Sequence, residues 1–287
     1  MDFEVVTPHT QSELLGAIAA NQGKNFRIGA GYTDLINQFK LRPERDLTVI
    51  NIAQIREDTF RNISKNDRCI ELGALVTASD LLGNDTVRKE FPVLCEAASS
   101  VASMQIRNTA TIGGNICNAS PSADMSGALV ALQARCRILN VKGERREEPL
   151  VSFIRGPRQT SLEKHEILER IIIPQNTSAV IKSGFEKIGA RKSMEISIVF
   201  LAYHFQLSES GIIEKAGIAC GAVAPVIPFA DRACAYIVGK RLNELKDDEK
   251  EAFAQKVMEY AAPISDIRAS AWYRNEVLYN ISKALFE

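Results

Sequence analysis

Two spacings of apolar residues alternate along this chain. Phe3 to Val6 is a short β-favouring run, and behind it Leu14, Leu15, Ile18 and Ala19 recur at helical spacing. Thr10-Gln11-Ser12-Glu13 opens that helix as a capping box, with Thr10 as N-cap and Glu13 reaching back to its amide; Gly23 ends it. Phe26 to Ile28 and Leu47 to Ile50 read as strands, and Leu35, Ile36 and Phe39 between them predict a helical turn. Residues 1–55 therefore read as a β-α-β unit.

A second unit starts near Arg56. Cys69 to Leu75 predicts a strand, Thr77 to Leu82 a short helix, and Phe91-Pro92 introduces an alanine-rich helix reaching Ser103. Gly127 to Gln133 reads as helix, and Cys136 to Val141 and Ile167 to Ile173 as strands. Beyond a linker at Pro174 to Ser178, the runs Ala179–Ile188, Ser197–Leu207 and Ile212–Ala222 are spaced as an antiparallel meander. Phe229 to Val238, Glu244 to Tyr260 and Ile267 onward read as helices. Three strands followed by three helices predict an α+β domain with its helices on one sheet face. The expected domains are 1–175, in subparts 1–55 and 56–175, and 179–287.

Composition removes several functions. Across 287 residues, 35 Lys and Arg balance 35 Asp and Glu, which argues against a nucleic-acid binder or a polybasic membrane anchor. No stretch reaches the roughly 18 apolar residues of a spanning helix. Ala216 to Ala230, the longest such run, contains Gly217, Gly221, Pro225 and Pro228. The opening Met1-Asp2-Phe3-Glu4 lacks a signal-peptide pattern, so a cytoplasmic location without membrane insertion is expected. Cys69, Cys95, Cys117, Cys136, Cys220 and Cys234 form no CxxC pair and read as scattered reduced thiols, not zinc or cluster ligands. His9, His165 and His204 are isolated and read as ordinary surface or strand histidines, so no metal site is expected. Arg145-Arg146-Glu147-Glu148 reads as a solvated turn and Trp272 as a packing anchor.

Two glycine segments remain as candidate chemistry. Gly29-Ala30-Gly31 follows a strand but has Asp34 at the third glycine position of a dinucleotide fingerprint, and only a short helix follows. Thr111-Ile112-Gly113-Gly114-Asn115 is the second. Paired glycines let a backbone approach a ligand, and Thr111, Asn115 and Ser122 add neutral polar groups that suit a diphosphate without a lysine.

Arg27-Ile28-Gly29-Ala30-Gly31-Tyr32-Thr33-Asp34-Leu35 and the run from Gln105 to Ile116 resemble the two FAD loops of the molybdenum hydroxylase flavoproteins. Phe185-Glu186-Lys187, Arg191 to Ser197, and Asp266 to Ser270 with Tyr273-Arg274 resemble that family's C-terminal domain, so the similarity spans nearly the whole chain. The resemblance implies an α+β fold: a two-part FAD-binding domain of the vanillyl-alcohol-oxidase or PCMH type, then a three-stranded antiparallel sheet with helices. It implies that residues 27 to 35 wrap the FAD diphosphate, with Thr33 and Asp34 hydrogen-bonding it and its neighbourhood. Ala110, Thr111, Gly113, Gly114, Asn115 and Ile116 would lie along the diphosphate and ribityl chain. Ala123 and Asp124 would hold the adenosine side, and Leu168 and Lys187 would complete the site. No residue is expected to act as an acid or base. Tyr32 stands where the family commonly has glycine; a positive φ there would cost of order 1 kcal/mol. Glu195 replaces a frequent aspartate or alanine.

The implied role is an FAD-carrying subunit. It would take electrons from the [2Fe-2S] clusters of a small partner subunit in complex with a large molybdopterin subunit, and pass them to NAD+ or another acceptor. A xanthine dehydrogenase-type enzyme fits the resemblance best. Carbon monoxide, nicotinate or aldehyde dehydrogenases use the same subunit type; a flavin-free scaffold subunit and a stand-alone FAD oxidoreductase of the same broad fold are the remaining alternatives.

Overall fold

A computed structural model describes residues 3–191 and 194–287; Met1, Asp2, Lys192 and Ser193 lie outside the described residues. Strands β1 (Phe3–Val6), β2 (Asn25–Gly29) and β3 (Leu47–Asn51) pair in parallel in the order β1-β3-β2. Central β3 is the most buried, as a strand covered on both faces must be. Helix α1 (Gln11–Ala20) crosses between β1 and β2, and α2 (Leu35–Leu41) between β2 and β3. Leu14 and Ile18 of α1 are buried beside Ile50, Ile52 and Ile55, and burying each stabilises the fold by about 2 kcal/mol. Leu75, Leu139 and Ile167 of the next unit join the same cluster, so the two units share a core. Thr10 caps α1 as expected, accepting from the Glu13 amide at 3.2 Å. The Glu13 carboxylate, however, takes the His9 amide at 2.8 Å, one residue earlier than a capping box requires.

The second unit is built on an antiparallel sheet ordered β4-β5-β10-β6-β7. Its strands are β4 (Ile63–Lys65), β5 (Cys69–Gly73), β6 (Arg135–Asn140), β7 (Arg145–Pro149) and β10 (Glu166–Pro174). A two-stranded hairpin, β8 (Ile154–Gly156) and β9 (Gln159–Thr160), projects before β10. The expected turn at Arg145–Glu148 is thus an edge strand. Its charges are paired, Arg145 with Glu169 and Arg146 with Glu166, both at 2.7 Å; such charges also suit a sheet edge. Short helices α3 (Asp58–Arg61), α4 (Ala78–Gly83), α5 (Asp85–Glu90), α6 (Pro92–Ser99), α7 (Met104–Arg107), α8 (Ile112–Cys117), α9 (Asp124–Ala131) and α10 (Leu150–Phe153) cover this sheet and its ends. The second glycine segment, read as a loop, is the N-cap and body of α8.

The last unit is the expected antiparallel meander: β11 (Val180–Ile188), β12 (Val199–Leu207) and β13 (Ile213–Gly221). Helices α11 (Asp231–Ile237), α12 (Asp247–Met258) and α13 (Ala271–Ala284) follow. The three helices that follow the meander pack on one of its faces, as expected, and its other face meets the second unit. All nine residues of β12 are buried. Val199, Leu201 and Phe205 face the C-terminal helix cluster, whereas Phe200 and Ala202 join the core of the second unit. A strand apolar on both faces needs two covers, and the second is α9. That contact is close: a Cβ on Gly217 would lie 1.9 Å from the Ala131 carbonyl oxygen.

Trp272, expected to anchor packing, is 70% exposed; α13 buries Arg274, Leu278 and Ser282 instead. His204 is buried in β12, as a strand histidine, and burial pushes its pKa down to about 4.

Candidate functional site

The seam between the C-terminal meander and the second unit opens into a cleft of about 710 Å³, within the usual range for small-ligand sites. Strand β2 delivers the first glycine segment to one wall. At its end the chain turns through Tyr32, whose φ of 60° is left-handed, and enters α2. No backbone carbonyl among the described residues accepts from the amides of Gly31, Tyr32, Thr33 or Asp34. Consecutive unpaired amides around a left-handed residue form a concavity that suits an anion. The Tyr32 ring folds back over Gly29, where a Cβ would lie 2.5 Å from it.

The second glycine segment meets the first directly. A Cβ on Gly31 would sit 1.9 Å from the Thr109 carbonyl oxygen, so only glycine allows the contact. Thr111 caps α8, accepting from the Gly114 amide at 3.0 Å. The amides of Ile112 and Gly113 donate to Val76 and Ala74 at 2.8 and 2.9 Å. These donors are therefore committed to the fold, which leaves exposed Gly114 and the cleft-lining Asn115 as the groups of this segment open to a ligand. Asn115 Oδ1 accepts from the Ser126 amide and hydroxyl at 3.1 and 2.9 Å, which leaves its amino group as the donor it can offer.

Asp124 and Lys187 pair at 2.6 Å across the seam, both side chains about 10% exposed or less. Asp124 also accepts from the hydroxyls of Ser197 at 2.7 Å and Ser100 at 3.1 Å. Burial pushes its carboxyl up, against the pull of Lys187 and both hydroxyls toward the charged form. On the far wall, Arg274 donates to the Ile198 and Ala222 carbonyls and to Asp266. The backbone amides of Arg268 and Ala269, with Arg274, hold Asp266 down to about 2.

Strain gathers here. Of the eight non-glycine residues with positive φ among the described residues, Ala102, Arg158 and Ala222 line the cleft, and Tyr32, Ala119 and Met194 lie within two residues of its lining. Each such residue costs about 1–3 kcal/mol, and their concentration marks a functional region.

The expected site residues divide into three groups. Asp34, Asn115, Ala123 and Asp124 line the cleft. Gly29, Ala30, Gly31, Tyr32, Thr33, Ala110, Thr111, Gly113 and Gly114 form the two segments beside it, and Lys187 reaches it through Asp124. The side chains of Arg27, Ile28, Leu35, Ile116 and Leu168 go elsewhere: Arg27 pairs with Glu44, and Ile28, Leu35, Ile116 and Leu168 pack in cores. Val101, Ala102 and Arg158 were not anticipated. The Gly156-Pro157 turn signal before Arg158 was the only hint of it.

FAD fits these residues. Four free amides suit its diphosphate, and Asn115, Asn118, Ser120 and Ser122 supply neutral hydrogen-bonding groups along the cleft. Residues 1–176 match the family described as FAD binding domain in molybdopterin dehydrogenase, and residues 185–287 match the CO dehydrogenase flavoprotein C-terminal domain. The chain is 31% identical to the glyceraldehyde dehydrogenase medium chain of Sulfolobus acidocaldarius, over 100% of this chain and 98% of that one. It is 30% identical to the xanthine dehydrogenase FAD-binding subunit of Escherichia coli O157:H7, over 98% and 94%. Carbon monoxide dehydrogenase from Hydrogenophaga pseudoflava superposes with a TM-score of 0.90 at 27% identity, covering 99% of this chain and 96% of that one. The chain belongs to the FAD-binding subunits of the molybdopterin dehydrogenases, an oxidoreductase family.

Proposed function

We propose that this chain is the electron outlet of a three-part, cytoplasmic molybdenum hydroxylase of the xanthine dehydrogenase type. In this reading a large subunit carries molybdopterin, a small one carries [2Fe-2S] clusters, and NAD+ is the final acceptor. Bound FAD supplies the redox chemistry, accepting electrons singly and releasing them as a pair. The chain's own residues bind and orient. The amides of Gly31 to Asp34 hold the diphosphate; Gly114 and Asn115 line its path; Ala123 and Asp124 take the adenosine side. The remaining residues of 27–35 and 110–116, with Leu168 and Lys187, support those positions.

The observation that carries this reading is the row of four unpaired amides beside the close contact of the two glycine segments. The aldehyde-directed and xanthine-directed relatives are 31% and 30% identical to this chain, so similarity alone does not separate them. Anaerobic mixing of the FAD-loaded chain with NADH tests the acceptor. Bleaching of the flavin band supports NAD+, and an unchanged band with NADH alongside full reduction by dithionite counts against it.

A further inference from the structure

The two-residue turn between β8 and β9 is Pro157-Arg158, and Arg158 holds a left-handed φ of 63° where glycine is the unstrained choice. Its amide donates to the Ala119 carbonyl at 3.0 Å, which pins the hairpin tip just beyond α8. Its guanidinium, 55% exposed, lies 2.8 Å from the Asp34 carboxylate and also donates to Asn118 Oδ1. Gln38 donates to the same Asp34 and Asn118 oxygens. Asp34 thus sets a carboxylate, an acceptor toward Arg158 and Gln38, at the end of the amide row 31–34 that would take a diphosphate. Left alone it would repel one. The other cations at the cleft have acidic partners of their own: Lys187 pairs with Asp124, and Arg268 and Arg274 with Asp266.

We propose that Arg158 is a positioning residue of the cofactor site: it neutralises Asp34, so that the amides of residues 31–34 can accept an anionic diphosphate. The inference rests on the reading that the FAD diphosphate lies on those amides. It also accounts for the strained turn, since the tip must reach Asp34 from another element.

The test is fluorescence titration of the full chain with FAD and, separately, with riboflavin, which lacks the diphosphate. Arg158→Ala is expected to weaken FAD about ten-fold, the size of one unscreened carboxylate near the ligand, and to leave riboflavin within about two-fold. Raising the salt should shrink the FAD defect. Arg158→Lys should retain most of the affinity. The double variant Asp34→Asn with Arg158→Ala should recover FAD binding, which a misfolded protein would not do. A double variant as weak as Arg158→Ala, or equal losses for FAD and riboflavin, overturns the proposal. Wild-type protein that binds riboflavin as tightly as FAD instead refutes the placement of the diphosphate itself.

Discussion

A methyl group at position 31 would collide with the Thr109 carbonyl, a backbone atom that cannot swing aside. Gly31→Ala should therefore part the two glycine segments and weaken FAD by more than about ten-fold, or at least 1.4 kcal/mol. Gly23→Ala is the matched control, because nothing lies within 4 Å of the added carbon; flavin titration of both variants checks the contrast. Asn115→Asp is a subtler probe. It keeps the acceptor that ties α8 to Ser126 but removes the amino donor and adds a charge, so thermal stability should hold while FAD affinity falls. His204 gives a pH signature. Its Nε2–H donates to Asn176 Oδ1 at 2.8 Å and its ring stacks on Phe91, but it is burial in β12 that disfavours its charged form. An unfolded histidine protonates near pH 6.5, the folded one near 4, so the stabilisation is complete above about 6.5 and is lost as pH falls toward 4. The loss should reach about 3 kcal/mol, and His204→Gln should flatten that part of the stability profile in urea melts.

Among the elements, α8 carries the most local risk. Thr111→Ala removes its N-cap and should cost about 1 kcal/mol, whereas Thr111→Ser should be nearly neutral; thermal melts of the two variants measure the difference. The same helix shows why part of the site was hidden in the sequence. Paired glycines disfavour helix, and α8 forms because Val76 and Ala74 accept its first amides from another strand's end. Local pattern carries no trace of those partners. The long meander strands and α1 were legible because their apolar residues follow one period throughout. β7 was not, because Arg145 and Arg146 find their partners on β10 and Glu147 finds its own on β6, outside the segment itself. The glycine segments were legible as chemistry through their composition and family resemblance. Arg158 was not, since only the folded hairpin brings it to Asp34.

At the scale of the whole molecule, the meander is held to the second unit by an apolar face and one buried ion pair. Phe185, Phe200 and Ala202 supply the face, and Asp124 with Lys187 the pair. Lys187→Met should leave Asp124 buried without its cation and destabilise the protein by about 3–5 kcal/mol in chemical denaturation. Adding Asp124→Asn should recover much of that loss. Family membership rests on both halves, matched over residues 1–176 and 185–287. Within that family, the seam cleft of this chain is proposed to hold FAD, with its diphosphate on residues 31–34. Titration of the purified full chain with FAD, followed by fluorescence quenching, tests it most directly. Saturable quenching at one FAD per chain is expected, lost in Gly31→Ala and retained in Gly23→Ala. FAD that stays free in solution, or quenching indifferent to Gly31→Ala, would contradict it.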